Sequence, residues 1–154
     1  MPILPSKIWR AVEWRLRNND TAEYYAYWQL QDEVSGADRI ASPHTDMSII
    51  GRGQHGDPTA KRAMRMAVAG ERVEQSCLWG EVIDATYALY KDTATASIAT
   101  MIYKHGGYLR SIAKDLTISI ETVKRHQEKF MTTCALLAVE KGLVAAKEMM
   151  EELP

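Results

Sequence analysis

Three glycines in the string Gly51-Arg-Gly53-Gln-His-Gly56 have the G-x-G-x-x-G spacing of loops that cradle a dinucleotide pyrophosphate. Such a loop follows a buried strand and opens the helix of a repeated βαβ unit. Here only Ile49 and Ile50 precede the string as apolar residues, and the chain shows no strand period. The string therefore predicts a polar loop, and no dinucleotide or other cofactor is expected.

His44, Asp46 and His55 lie in the same segment and are residue types that can bind a metal ion. A closed zinc site needs four ligands, and neither a cysteine nor a fourth suitably spaced donor lies nearby. Solvated loop side chains are the simpler interpretation, so we expect no metal site.

The chain also offers no arrangement typical of catalysis. It contains no serine elbow, no cysteine beside a base and no carboxylate pair in a segment that the pattern marks as buried. Cys77 and Cys134 are too few for a disulfide framework, which fits a reducing compartment, and no apolar run approaches the ~20 residues that span a bilayer. We therefore expect a cytoplasmic protein that is not an enzyme and has no membrane partner.

The chemistry that the sequence favours is the binding of a polyanion by one basic segment. The 154-residue chain has a formal net charge of −1. Residues 104–130 carry six basic and three acidic residues, a net charge of +3, whereas residues 1–103 and 131–154 each sum to −2. Any phosphate-binding surface should therefore lie within residues 104–130.

Two helices joined by a short turn are predicted in this basic segment. Residues 108–116 form the first helix, residues 117–119 form the turn, and a second helix begins at Ile120 with Ser119 as its N-cap. The small Ala113 allows the helices to cross closely. The residues expected to form their shared core are Ile112, Leu116, Ile118 and Val123. This is the spacing of a helix-turn-helix.

The second helix should present a cationic face to solvent. At 100° per residue with Val123 inward, Gln127 and Phe130 join the buried side. The residues that face away are Glu121, Thr122, Lys124, Arg125, Glu128 and Lys129. A face of this kind is what reading the major groove of DNA requires, although an ordinary helical hairpin with a solvated charged face has the same apolar pattern.

The rest of the chain predicts an all-α arm, since 46% hydrophobic and 25% charged residues are typical of a globular protein. We expect two aromatic-rich helices. The first ends at Asn18 and Asn19 and the second at Gly36, and the aromatic side chains pack between the two helices. An irregular loop over residues 35–57 and a long helix from Pro58 to about Lys91 follow. Residues 1–91 would thus form an arm for oligomerisation or partner binding, and residues 92–154 the helix-turn-helix module.

The stretch Ile112-Ala-Lys-Asp-Leu-Thr-Ile-Ser-Ile-Glu-Thr-Val-Lys-Arg-His126 resembles the I-A-x-x-L-x-I-S-x-x-T-V-x-x-H pattern of sigma-factor region four and of LuxR-type regulators. Thr117 stands where these patterns usually have glycine. The order of the aromatic N-terminal helices, the Ser42-Pro43 loop, the long middle helix and the C-terminal module resembles phage transcriptional regulators of the RinA/ArpU type. This resemblance implies double-stranded DNA as the partner and activation of late genes for packaging and structural proteins in the host bacterial cell.

The resemblance also implies a role for each exposed residue of the module. Glu121, Thr122 and Arg125 become candidates for base contacts, because arginine pairs well with guanine and glutamate can accept from cytosine. The candidates for contacts to the phosphate backbone are Arg110, Lys114, Ser119, Lys124 and Lys129.

Two other functions fit the same residues. A small terminase subunit also joins a helix-turn-helix to oligomerising helices, but usually carries the module at its N-terminus. A module of this fold could also bind host RNA polymerase without touching DNA, and the acidic flanks leave that alternative open. A homodimer would present two copies of the module to two half-sites.

Overall fold

A computed structural model describes residues 4–40 and 58–149 of the chain, and there it contains five α-helices and no strand. The α-helices are α1 (Ser6–Ile40), α2 (Pro58–Leu89), α3 (Ala94–Ala99), α4 (Leu109–Leu116) and α5 (Ile120–Glu140). A π-helical turn over Thr100–Lys104 continues α3, and a 3-10 turn over Ala146–Met149 follows α5. The predicted all-α class is confirmed. None of the described helices is long and apolar enough to cross a membrane.

The N-terminal region is one helix of 35 residues, so the predicted pair of short helices is wrong. The polar residues that suggested a break bond back onto the helix: the Asn18 side-chain amide donates to the carbonyl of Trp14 at 3.0 Å, and Arg15 donates to Asn19 Oδ1 at 3.3 Å. Gly36 likewise lies inside α1 rather than ending it, and the predicted loop over residues 35–57 is helical as far as Ile40. Residues 41–57 lie outside the described part of the chain.

The long middle helix is confirmed, since α2 begins at Pro58 and runs for 32 residues to Leu89. Proline suits the first helical position because its missing N–H would have no partner inside the helix. Gly70 is accommodated within this continuous helix.

The described residues 20–40 and 58–77 form a compact unit in which the end of α1 pairs with the start of α2. Glu33 lies 3.8 Å from Arg65, and Arg72 donates to the side chain of Gln29 at 2.9 Å. Because the partner numbers rise along one helix as they fall along the other, the two segments run antiparallel. We call this unit the hairpin.

Residues 4–19 and 78–149 form the second compact unit, which has one continuous apolar core. Its largest fully buried apolar side chains are Val12, Val82, Ile98, Ile102, Val123, Phe130 and Met131. The rings of Tyr87 and Tyr103 lie 4.8 and 6.3 Å from the ring of Phe130. We call this unit the core unit.

The compact units do not divide the chain at residues 91 and 92, the boundary expected from the sequence. The start of α1 and the end of α2 bury Ile8, Val12 and Val82 in the same cluster as the residues of α3 and α5. The core unit therefore contains both the proposed DNA-binding helices and the two ends of the expected arm.

The aromatic residues of α1 do not pack as expected. Tyr24, Tyr25, Tyr27 and Trp28 of the hairpin are each at least half exposed. In the core unit Trp14 is also half exposed, whereas Trp9 packs partly buried against the core. The expectation of buried aromatic side chains rested on a second N-terminal helix that does not exist.

Candidate nucleic-acid interface

The turn between α4 and α5 is held by backbone hydrogen bonds at the end of α4. The N–H of Thr117 donates to the carbonyl of Lys114 at 3.2 Å, and the N–H of Ile118 donates to the carbonyl of Ala113 at 3.0 Å. This pair of bonds is the Schellman motif, which requires a left-handed residue directly after the helix. Thr117 supplies it with φ 57° and ψ 43°.

Ser119 begins α5 as the predicted N-cap. Its hydroxyl accepts from the N–H of Thr122 at 3.2 Å and lies 2.8 Å from the Thr122 hydroxyl. These bonds satisfy one of the free N–H groups at the helix start and orient the first turn of α5.

The buried side of the two helices matches the predicted pattern at most positions. Ile112, Ala113 and Val123 are buried, and Ile118 packs partly buried against the core. Leu116 is the exception, because it is 37% exposed instead of lying in the shared core. The left-handed turn begins directly after Leu116, and the next apolar side chain to reach the core is Ile118.

Two side-chain hydrogen bonds hold α5 against the preceding elements. Gln127 donates from Nε2 to the hydroxyl of Tyr103 at 3.1 Å, and both residues are buried. His126 Nδ1 lies 2.9 Å from the hydroxyl of Thr95 in α3. His126 therefore has a packing partner and does not belong to the exposed cationic face.

The predicted contact residues lie on the exposed side of α4 and α5. Seven of them are exposed, and Thr122 is half-buried. The exposed residues are Arg110, Lys114, Ser119, Glu121, Lys124, Arg125 and Lys129. The structure thus places every predicted contact residue where solvent reaches it, on two helices joined by one turn.

The cations of this face have no acidic partner among the described residues. Arg110, Lys114, Lys124 and Arg125 form no ion pair there, whereas elsewhere in the core unit Lys7 lies 3.6 Å from Glu148 and Lys141 lies 3.7 Å from Glu81. The remaining cations of residues 104–130 lie over aromatic rings. Lys104 Nζ is 4.4 Å from the ring centroid of Tyr87, and Lys129 Nζ is 5.6 Å from that of Tyr90.

Beneath the face lie a thiol and two phenol hydroxyls that burial makes harder to ionise. Burial raises the pKa of the Tyr87 hydroxyl and of the Cys134 thiol, each to about 12. Burial also raises the pKa of Tyr103, and this effect outweighs the opposing hydrogen bond from Gln127. The described part of the core unit also buries no Asp, Glu, Lys or Arg side chain, so it contains no buried charge that offsets the cations on the surface.

Tyr108 is an exposed side chain beside this face to which the sequence analysis assigned no role. It is the N-cap residue of α4, makes no side-chain capping bond and is 81% exposed. Tyr108 directly follows Gly106 and Gly107 and begins a helix two residues before Arg110. This position in the sequence could have predicted an exposed side chain beside the basic residues.

The other candidate chemistry finds no support in the described residues. Nowhere in residues 4–40 and 58–149 do three or more His, Cys, Asp or Glu side chains gather in a way that could hold a metal ion. His44, Asp46, His55 and the Gly51–Gly56 string lie outside the described part of the chain.

Comparison with known proteins adds no relative from which a function could be carried over. A scan against protein-family models, a search of curated proteins and a search of solved structures each found no match to this chain.

Proposed function

We propose that this chain is a sequence-specific, double-stranded DNA-binding regulator of transcription that activates phage late genes. The observation that carries the proposal is the face of α4 and α5. It holds four exposed cations without an acidic partner among the described residues, on two helices joined by the predicted three-residue turn. Because unpaired surface cations attract phosphates at no cost in broken ion pairs, this face suits a polyanion better than the rest of the core unit.

The two helices make different kinds of contact with DNA. Arg125 and Glu121 lie one turn apart on the outward side of α5, where an arginine can pair with guanine and a glutamate can accept from cytosine. Arg110 and Lys114 lie on α4 and hold the phosphate backbone, which sets the orientation of α5 in the groove. Lys124 and Lys129 flank the base-reading side of α5 and contact the backbone as well.

The acidic residues on α5 favour sequence-specific DNA binding over tight non-specific DNA binding. Glu121 and Glu128 lie on the same outward face as the cations and would repel phosphates that come too close. Binding therefore becomes favourable only where base contacts compensate this repulsion, and affinity for unrelated DNA should be low.

A salt titration tests for DNA binding. We expect the full-length chain to bind duplex fragments that flank its own gene, with log K falling by about 0.9 per phosphate contact for each unit of log salt. Fluorescence anisotropy at roughly 50 and 200 mM salt measures this slope. Absence of binding to every such fragment at the lower salt would contradict the proposal.

Charge-matched variants locate the interface. Lys124→Ala with Arg125→Ala should weaken binding at least about tenfold, since one bidentate arginine contact alone is worth about 1–3 kcal/mol. Lys7→Ala with Lys141→Ala removes the same charge from two cations that already have acidic partners, and should change binding little. Equal losses in both double variants would mean that only the overall charge matters.

A reporter assay tests the regulatory part of the proposal. A promoter that binds the chain should drive more transcription with the full-length protein than with the Lys124→Ala, Arg125→Ala variant. If the protein binds DNA beside packaging genes and leaves the reporter unchanged, the terminase-like alternative replaces the regulator.

A further inference from the structure

The hairpin exposes an aromatic cluster on one side of α1. Tyr24, Tyr27 and Trp28 are 58%, 51% and 50% exposed and lie three and four residues apart, on one face of the helix. The ring of Trp28 meets those of Tyr24 and Tyr27 edge to face, with centroids 6.1 and 6.4 Å apart. We call these three residues the aromatic stripe.

The hairpin also exposes aliphatic side chains on α2. Met64 and Val68 lie one turn apart and are 68% and 44% exposed. We call these two residues the aliphatic stripe. Methionine packs readily on aromatic rings because its thioether is flexible and polarisable, so the two stripes are chemically suited to each other.

The fully buried interior of the hairpin is small. Among its described side chains, residues 20–36 and 58–77, only Ala26, Ala69 and Ser76 are buried. A helix pair that buries two alanines and one serine, and leaves four large rings and a methionine exposed, gains little from the hydrophobic effect. Burial of the aromatic and aliphatic stripes by a partner would therefore add most to the stability of the hairpin.

The charges of the hairpin indicate what covers the stripes. Residues 20–36 carry four acidic residues and no basic residue, whereas residues 58–77 carry four basic and two acidic residues. The acidic residues beside the aromatic stripe are Asp20, Glu23, Asp32 and Glu33. They repel phosphates, so a base-stacking platform for nucleic acid does not fit this surface.

We infer that the hairpin is the dimerisation element of this chain and that a second copy covers it. In a two-fold dimer, α1 of each copy packs against α2 of the other, so each contact forms twice. The aromatic stripe then meets the aliphatic stripe, and the acidic α1 segment, which already pairs with the basic α2 segment of its own chain through Glu33 and Arg65, also meets that of the other copy. The product is a four-helix bundle, the usual arrangement in which helix pairs bury a shared core.

Sedimentation equilibrium of the full-length chain tests this inference without reference to DNA. At tens of micromolar we expect twice the chain mass of 17.4 kDa. Tyr24→Ser with Trp28→Ser should raise the dissociation constant at least about tenfold, since buried aromatic residues at an interface commonly contribute 2 kcal/mol or more. Circular dichroism checks that the helical content of the variant is retained.

The matched control is Tyr108→Ser, because Tyr108 is the most exposed tyrosine of the core unit and lies outside the hairpin. This variant should remain as dimeric as the unchanged chain. A chain that stays monomeric up to hundreds of micromolar, or a Tyr24→Ser, Trp28→Ser variant as dimeric as the unchanged chain, would overturn the inference.

Charge reversal tests whether the acidic α1 segment of one copy lies against the basic α2 segment of the other. Asp20→Lys with Asp32→Lys places cations opposite the basic α2 segment of the other copy, and should weaken the dimer. Asp84→Lys reverses an exposed acidic residue of the core unit and should leave the dimer unchanged. A dimer as stable with Asp20→Lys and Asp32→Lys as with Asp84→Lys would contradict the pairing of α1 with α2.

Discussion

At the scale of single residues, Thr117 and Gly142 occupy the same place at the ends of two helices. After α5, the N–H of Gly142 donates to the carbonyl of Val139 at 3.0 Å and the N–H of Leu143 to that of Ala138 at 2.9 Å, which repeats the motif after α4. Gly142 has φ 76° and Thr117 has φ 57°. For a β-branched residue the left-handed conformation costs about 1–2 kcal/mol, so the chain carries strain at Thr117 that it avoids at Gly142.

Thr117→Gly should therefore stabilise the protein by roughly 0.5–1 kcal/mol, because part of the relieved strain is offset by the greater freedom of glycine in the unfolded chain. The reciprocal change, Gly142→Thr, should destabilise it by roughly 0.5–1 kcal/mol, because the same unfolded-chain term offsets part of the strain and a Cβ at position 142 would meet no atom within 4 Å. Urea unfolding measures both. A Thr117→Gly variant less stable than the unchanged chain would show that the threonine side chain contributes more than the strain costs.

At the scale of elements, the sequence predicts α4, the turn and α5 well and α1 poorly. The period of Ile112, Val123, Gln127 and Phe130 marks the buried sides because each helix there packs on the core of its own unit. In α1 the break was inferred from Asn18 and Asn19, whose side chains bond locally and so usually favour caps. The burial of Asn19 inside the continuous helix depends on its packing, which no local pattern reveals. The exposure of the aromatic side chains of α1 was not predicted either, because it too depends on how the helix packs.

The face assignment of α5 makes a prediction of its own. Val123→Asp should unfold the core unit, because a fully buried carboxylate without a partner costs several kcal/mol. The exposed neighbour Lys124→Ala should change the free energy of unfolding by no more than about 0.5 kcal/mol. Thermal denaturation of the two variants compares them, and similar losses would mean that the helix is turned differently on the core.

At the scale of the whole molecule, the core unit buries a thiol and two phenol hydroxyls whose neutral forms burial favours. The thiol of Cys134 and the hydroxyl of Tyr87 have pKa values raised by burial to about 12, from ordinary values of 9.0 and 10.0. In the unfolded chain these groups lose their protons at the lower values. Over that interval the folded state binds more protons than the unfolded state, so stability must fall as pH rises.

We therefore expect the free energy of unfolding to decline from about pH 9 upward. Urea titrations at about pH 8, 9.5 and 10.5 measure the decline. Cys134→Ala removes the group that ionises first in the unfolded chain, so in this variant the decline should begin about one pH unit later. A stability that stays constant over this range would contradict the burial of these groups.

The common core also governs when the protein can fold during its synthesis. Leu4, Ile8 and Val12 are buried in the same cluster as Val144, which lies far later in the sequence. At about 5–20 residues per second, a ribosome needs roughly 7–30 s to add the intervening chain. Until the later part of this core is made, the apolar side of the start of α1 is incompletely covered, and the uncovered surface is a binding site for a nascent-chain chaperone.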